Sequence, residues 1–259
     1  MASRGIVCLM YHELELPGRA LAQVEPGYVR YILTETTFRS QVDWLRNNGW
    51  RGLNVGQALT YPAEKSVAIT FDDGCETDLV AAAPILLGAG FQATFYVTAG
   101  FLDKPGYMST AQLHQLSSLG FQIGCHSMTH PYLNDVGPNA LHREIVEARS
   151  RLQDVTGSTV EHFSCPGGRY NDRAIALVKQ AGYRSLATSR TSANSASTDP
   201  FSLGRVAVMR TTELTTFERI CTGEALWKMR LAESARGSAR RMLGNTLYDR
   251  VRSSLLGHS

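Results

Sequence analysis

Cysteine is scarce in this sequence, and its spacing excludes two common kinds of small scaffold. Five of the 259 residues are cysteine, and no two of them form a Cys-x-x-Cys pair. An odd number of widely spaced cysteines argues against a disulfide framework and against a structural zinc ribbon. We therefore expect reduced thiols, as in a cytosolic protein, at Cys8, Cys75, Cys125, Cys165 and Cys221.

Long apolar runs are also missing. The run Ile6–Met10 is shorter than the apolar region of a signal peptide, and no small-residue cleavage site follows it. The stretch Leu79–Phe91 is interrupted by Pro84 and two glycines, and it is too short to span a bilayer. The expected location is therefore the cytoplasm, either in solution or at the inner membrane surface.

Positive and negative charges are nearly balanced in this sequence, so a large excess of either sign is missing. The chain has 26 Lys and Arg residues against 23 Asp and Glu residues, a formal net charge of +3. This excess is too small to predict nucleic-acid binding, which relies on a concentrated basic surface. The Gly-x-Gly-x-x-Gly pattern of dinucleotide-binding turns is absent as well.

The segment 216–259 differs in charge from the rest of the chain. Its eight basic and four acidic residues give it a net charge of +4, against −1 for residues 1–215. Apolar residues recur in it at helix-like intervals, which predicts a basic, amphipathic, helical C-terminal extension. Such helices either pack their apolar stripe on the neighbouring domain or lie peripherally on an anionic membrane.

Residues 1–215 have the pattern of a single α/β domain. Runs rich in β-branched and aromatic residues, such as Val67–Phe71 and Ala93–Thr98, alternate with segments of helical period. This order predicts parallel strands closed into a barrel, with the functional site where strands give way to helices. An open, doubly wound sheet shows the same alternation and is the alternative.

Two clusters of chemically active residues follow predicted strands. Asp72 and Asp73 come directly after Val67–Phe71, and adjacent carboxylates repel one another unless a cation or proton lies between them. His126 and His130 follow another strand, where a helix or a loop could bring the two rings together. Two imidazoles and one carboxylate form an open catalytic metal site. Solvated turn residues and surface histidines are the plainer alternatives.

A third cluster, at residues 163–171, has the sequence FSCPGGRYN. Its Pro-Gly-Gly loop brings backbone N–H groups close to a ligand, which suits an oxyanion hole. We predict that the N–H of Gly167 stabilises an oxyanion and that Tyr170 contacts the substrate. The alternative is a tight turn before a helix that Asn171 caps.

These motifs resemble, in sequence and in order, those of the polysaccharide deacetylase family, also called the NodB-homology or carbohydrate esterase family 4. The matching segments are TFDDG at 70–74 and HSMTH at 126–130, and the resemblance spans roughly residues 67–208. It is strongest to the branch of exopolysaccharide and poly-N-acetylglucosamine deacetylases. The resemblance implies an irregular (β/α)7 TIM-like barrel over residues 1–215.

The resemblance also assigns roles to the first two clusters. It implies that Asp72 is the catalytic base, and that Asp73, His126 and His130 are the metal ligands. The implied cofactor is a divalent metal ion, foremost Zn²⁺, with Co²⁺, Ni²⁺ or Mn²⁺ as alternatives.

The third cluster departs from the family pattern at two positions. Ser164 stands where the family has an Arg that orients the base, and Gly167 stands where the family has Tyr or Phe. Either another cation therefore orients Asp72, or the base is held less firmly. Arg205, just before the strand at Val206, and Arg169 are the candidates.

The family's late Leu-x-His motif, which supplies the general acid, is absent as well. The branch named above carries a Tyr-His pair after the first strand, and Tyr11 and His12 match that pair. We therefore predict that His12 is the general acid. A surface or supporting histidine is the alternative.

The implied reaction is the hydrolysis of an N-acetyl group on an amino sugar, with release of acetate. The substrate would be an oligosaccharide, a polysaccharide or its biosynthetic precursor. One alternative is deformylation or deacetylation of a lipid-linked amino sugar, which the basic extension and a membrane surface favour. Another is an inactive carbohydrate-binding homologue, suggested by Ser164 and the missing late histidine.

Overall fold

Parallel strands form the centre of the fold. In the computed structural model, which describes residues 5–60, 64–231 and 233, eight strands make one sheet and two short strands pair separately. The strands are β1 Val7–Tyr11, β2 Leu14–Glu15, β3 Leu33–Thr34, β4 Arg51–Leu53, β5 Ser66–Asp73, β6 Thr94–Val97, β7 Gln122–Cys125, β8 His162–Ser164, β9 Ser185–Ala187 and β10 Val206–Ala207. The separate pair is β2 with β3.

The main sheet closes on itself. Its order is β10-β1-β5-β6-β7-β8-β9, with β4 beside the first half of β5. At the remaining gap the N–H of Leu203 donates to Leu186 and the N–H of Thr188 donates to Leu203, at 3.0 and 2.8 Å. These bonds join β9 to the segment before β10, so the predicted irregular α/β barrel is confirmed and the open sheet is excluded.

Helices cover the outside of the barrel. They are α1 Pro26–Val29, α2 Glu35–Asn47, α3 Val55–Thr60, α4 Ala83–Ala89, α5 Thr110–Ser118, α6 Pro138–His142, α7 Ala148–Thr156, α8 Asp172–Gln180 and α9 Leu214–Cys221. Two π-helical turns, Asp78–Ala82 and Arg143–Glu147, lead into α4 and α7, and 3₁₀ turns occupy Ala99–Phe101, Pro166–Gly168 and Pro200–Ser202. Ser109 caps α5 through a reciprocal capping box, which satisfies N–H groups that the first turn leaves unpaired.

The alternation of side chains along β5 defines the inside of the barrel. Val67, Ile69 and Phe71 belong to the large apolar core that includes the helices. Ala68 belongs instead to a small interior cluster, because successive strand residues point to opposite faces. Asp72 has the same parity as Ala68, so its carboxylate enters the barrel interior.

Strand β5 is longer than predicted. The sequence predicts its end at Phe71, but the ladder with β6 continues, pairing Asp72 with Tyr96 and Asp73 with Val97. Backbone pairing with a buried neighbour therefore outweighs the low strand preference of aspartate. Asp72 and Asp73 are the last two residues of the strand rather than the residues that follow it.

The predicted boundary between residues 215 and 216 falls within α9. Phe217 and Ile220 of this helix belong to the main core. Residues 226–231 are helical, and Trp227 and Leu231 are exposed. Most of the predicted extension, residues 234–259, lies outside the described residues, so the division into two parts and the membrane contact stay predictions. Within the described ranges, no helix combines the length and apolar character needed to cross a membrane.

Candidate active site

Asp72 and Asp73 end β5, and the backbone turns both carboxylates toward one site. A regular strand would point the two side chains to opposite faces. Asp73 has a φ of 82°, in the left-handed region that aspartate adopts more readily than most residues. With this turn, Nε2 of His126 lies 3.7 Å from Oδ2 of Asp72 and 3.6 Å from Oδ1 of Asp73.

His126 follows β7 and is held in one orientation by a backbone carbonyl. Its Nδ1 lies 2.9 Å from the carbonyl oxygen of Ser164, which can only accept a hydrogen bond. Nδ1 therefore carries the proton, and Nε2 faces the two aspartates. Burial lowers the pKa of His126 to about 4, against the opposing charge of Asp72. The ring is neutral near pH 7, which is the form that binds metal ions.

The segment 126–130 is a loop, so the second of the two arrangements predicted for the histidines is the observed one. Glu144, in the π-helical turn before α7, accepts the N–H groups of Met128 at 2.9 Å and Thr129 at 2.7 Å. Its other oxygen accepts the Thr129 hydroxyl at 2.7 Å. These bonds fix the loop so that the centroids of the two histidine rings lie 4.9 Å apart.

Asp73, His126 and His130 form a donor set that fits a divalent metal ion. One ligand atom from each residue lies within 4.8 Å of the others. Oδ1 of Asp73 is 3.5 Å from Nε2 of His130, and it is buried without a hydrogen-bond partner among the described residues. Burying a carboxylate oxygen without a partner costs folding free energy unless a nearby cation compensates its charge. The His130 side chain is 33% exposed, against 3% for Asp73, so the site opens on the His130 side.

Arg205 binds Asp72 through two parallel hydrogen bonds. Nη1 donates to Oδ1 at 2.6 Å and Nη2 donates to Oδ2 at 2.7 Å. Burial raises the pKa of Asp72, but the charge and hydrogen bonds of Arg205 outweigh burial and hold that pKa well below its usual range. Nε of Arg205 donates to the carbonyl of Thr188 at 3.0 Å. Asp72 is therefore an ionised carboxylate in a fixed orientation.

The small side chain of Ser164 explains how Arg205 reaches this position. The Ser164 hydroxyl accepts from Nη2 of Arg205 at 2.7 Å and donates to Oδ2 of Asp72 at 3.3 Å. A long side chain at 164 would occupy the space of the guanidinium. Arg169, the other candidate, stacks on the ring of Tyr132 instead, with Cζ 3.8 Å from the ring centroid.

His12 follows β1, which pairs with β5, so it lies at the same end of the barrel as the two aspartates. Its ring packs against Tyr31 and Tyr28, with centroid distances of 5.1 and 6.0 Å. Burial lowers the pKa of His12, while the charges of Asp73 and Asp72 act in the opposite direction. His12 is thus within electrostatic range of the metal donors, and its role as acid stays a prediction.

The loop after β8 bends at Gly167, whose φ is 58°. A Cβ at this position would lie 2.7 Å from Cε1 of Tyr132, so glycine leaves room for that ring. Tyr132 thereby fills space that an aromatic residue at position 167 would need. Tyr170 is partly buried and packs against the main core. Contacts of Gly167 with an oxyanion and of Tyr170 with substrate stay predictions.

Two residues of the site were not predicted from the sequence. The hydroxyl of Tyr28, on α1, donates to Oδ2 of Asp73 at 3.0 Å. Glu144 holds the histidine loop, as described above. Glu144 carries a weak signal in the sequence, because it is a carboxylate beside the apolar face that includes Ile145. Tyr28 carries none, because the segment around it has no periodic pattern.

Comparison with known families identifies the family to which the residues of this site belong. The family model described as polysaccharide deacetylase matches residues 60–186, which contain the two aspartates and the two histidines. Residues 60–186 belong to the polysaccharide deacetylase family.

Several curated relatives match more of this chain than the family model does. YxkH of Bacillus subtilis is 27% identical over 206 residues, which is 77% of this chain and 70% of that protein. A chitooligosaccharide deacetylase of Azorhizobium caulinodans is 30% identical and covers 52% of this chain and 64% of its own length. A poly-beta-1,6-N-acetyl-D-glucosamine N-deacetylase of Staphylococcus aureus is 22% identical, with 60% of each chain covered. This chain therefore spans less than two thirds of the latter two relatives.

A solved structure has the same fold as this chain. The deacetylase PplD of Streptococcus pyogenes, in complex with acetate, matches with a TM-score of 0.74 and 23% identity. The match covers 84% of this chain and 98% of that one. At this identity the likeness establishes the barrel, while the activity of the site depends on its own residues.

The candidate metal site yields a first testable expectation. His126→Ala is expected to abolish metal binding, because it removes one of three ligands and the best-buried imidazole of the set. Elemental analysis of the purified protein measures this. His162→Ala is the matched control, because His162 is also buried and bonds Ser185 at 2.8 Å, at the other end of β8. Metal content equal in the two variants would contradict the assigned ligand set.

Proposed function

We propose that this protein is a metal-dependent hydrolase that removes N-acetyl groups from an amino sugar and releases acetate. The substrate is an oligosaccharide or polysaccharide, or its biosynthetic precursor. The observation that carries this proposal is the position of Asp72. An ionised carboxylate, fixed by Arg205, lies beside a set of two imidazoles and one carboxylate that suits a catalytic metal.

The donor set of Asp73, His126 and His130 would hold the metal ion. Two imidazoles and a carboxylate suit Zn²⁺, and Co²⁺, Ni²⁺ and Mn²⁺ accept the same ligands. When bound, the ion would polarise the acetyl carbonyl and make a nearby water molecule more acidic. The exposed His130 side leaves an approach for a sugar substrate.

Asp72 is the general base in this proposal. Its carboxylate removes a proton from the water molecule that attacks the acetyl carbon. Arg205 holds both oxygens, so the base is ionised before it takes the proton and keeps one orientation. A base in a fixed position close to the reacting water contributes by orientation as well as by proton transfer.

His12 is the general acid. An amine leaves poorly as an anion, so the leaving nitrogen must receive a proton as the carbon–nitrogen bond breaks. His12 lies at the same end of the barrel, and its Nδ1 is buried with no hydrogen-bond partner within the described residues. In this proposal the Gly167 N–H donates to the tetrahedral oxyanion. Tyr170 lies three residues along the same loop and would contact the sugar.

The proposed reaction is tested by the products. Zn²⁺-loaded protein is incubated with oligomers of N-acetylglucosamine, and acetate and free amine are measured together. We expect both products in equal amounts. Parallel N-formyl substrates distinguish the deacetylase from a deformylase, since a deformylase releases formate faster than acetate. Binding of the oligomers without either product would indicate the inactive, carbohydrate-binding homologue.

A variant of His12 tests the acid. His12→Ala is expected to lower the rate of acetate release by about 10²- to 10⁴-fold, with metal content unchanged. His114→Ala is the control, because His114 lies exposed on α5. Full activity of the His12 variant would assign the proton transfer to another group.

A further inference from the structure

We propose that Tyr28 is a positioning residue of the metal site: its hydroxyl fixes the Asp73 carboxylate so that a single oxygen faces the metal. This inference rests on the proposed metal-dependent function and adds a residue outside the family's motifs. Tyr28 would set the strength of metal binding through Asp73, without touching the metal itself.

The two oxygens of Asp73 have different surroundings. Oδ2 accepts the hydroxyl of Tyr28 at 3.0 Å. Oδ1 lies 3.6 Å from Nε2 of His126 and 3.5 Å from Nε2 of His130, and it has no hydrogen-bond partner in the described ranges. The Tyr28 bond therefore occupies one oxygen and leaves the other for the cation. Hydrogen bonds of this kind orient metal-ligating carboxylates.

The Tyr28 hydroxyl is the donor in its bond to the Asp73 carboxylate. The same hydroxyl lies 3.7 Å from Sγ of Cys75. Because the tyrosine's one proton is donated to Asp73, the Cys75 thiol is the donor to the tyrosine oxygen. The resulting chain of donors runs from Cys75 through Tyr28 to Asp73.

Two side-chain contacts attach the segment that carries Tyr28 to the part of the barrel beside Cys75. Arg19 forms an ion pair with Glu76, just after the aspartate motif. The side-chain amide of Gln23 donates to the hydroxyl of Tyr107 at 3.0 Å. These contacts restrain the segment before α1, so the position of the Tyr28 hydroxyl over Asp73 is built into the fold.

The experiment compares Tyr28→Phe with Tyr107→Phe. Both changes remove one hydroxyl and keep the ring, but only the first removes a bond to a metal ligand. Zn²⁺ affinity is measured by competition with a chelator. We expect the first variant to bind Zn²⁺ about 10- to 100-fold more weakly than the unsubstituted protein, and the second to bind it equally well. Acetate release by Tyr28→Phe is expected to recover at saturating Zn²⁺.

Two results would overturn the inference alone: equal Zn²⁺ affinity of Tyr28→Phe and the unsubstituted protein, or equal weakening in the two variants. The second result would show that loop position matters rather than the hydroxyl bond. A merely structural role of the hydroxyl would lower the melting temperature of the metal-free protein and leave the Zn²⁺ affinity unchanged. Failure of the unsubstituted protein to bind Zn²⁺ would instead overturn the proposed function as well.

Discussion

Asp72→Asn is expected to lower the rate of acetate release by about 10²- to 10⁴-fold while leaving the metal bound. The substitution keeps the shape of the side chain and removes the basic oxygen that takes the proton from water. The three metal ligands are untouched, so elemental analysis should find the same metal content as in the unsubstituted protein. Initial rates of acetate release at saturating metal measure the effect.

Asp78→Asn is the matched control for this substitution. Asp78 is another fully buried aspartate nearby, and burial raises its pKa well above the usual range. Burial therefore favours the uncharged form of this side chain, and asparagine is an uncharged residue of the same shape. We expect activity to be retained. Unchanged acetate release by Asp72→Asn, or loss of activity equal to that of the control, would remove Asp72 from the role of base.

Arg205→Met is expected to destabilise the protein by about 3–5 kcal/mol and to reduce activity strongly. Arg205 is 1% exposed, and its removal leaves the buried carboxylate of Asp72 without its counter-ion. Loss of one partner of a buried pair costs far more than the pair contributes, because the remaining charge keeps its desolvation penalty. The free energy of unfolding, from urea titration, measures the change.

Two further variants show whether the buried pair causes the loss. Arg39→Met removes an exposed Arg paired with Glu35 on α2, and it is expected to cost no more than about 0.5 kcal/mol. The double variant Asp72→Asn with Arg205→Met should be more stable than the sum of the single changes predicts, because the uncompensated charge is gone. Additive losses would show that Arg205 acts through packing rather than through Asp72.

The family resemblance assigned the metal donor set, and the order of the strands explains why these residues meet. Asp73 ends β5 and His126 follows β7, and parallel neighbours bring both to one end of the barrel. The barrel itself follows from the same alternation of strands and helices. The spacing of the two histidines did not show whether their segment is a helix or a loop. Glu144, in the π-helical turn before α7, fixes the loop by accepting hydrogen bonds from its backbone.

Other features of the site depend on tertiary contacts that no local pattern encodes. The sequence left Arg205, just before one predicted strand, and Arg169, after another, as candidates to orient Asp72. The space beside Ser164 selects Arg205. The turn that brings Asp73 beside Asp72 depends on a positive φ, which the strand pattern did not indicate. Tyr28 reaches the site from a segment whose position is set by long-range contacts.

Acetate release by metal-stripped and metal-restored protein tests the central claim most directly. The protein is treated with a chelator, dialysed, and assayed on N-acetylglucosamine oligomers before and after stoichiometric Zn²⁺ is added. The account predicts that stripped protein releases no acetate and that Zn²⁺ restores release in the unsubstituted protein but not in His126→Ala. Acetate release that survives complete removal of metal, or that His126→Ala retains, would contradict it.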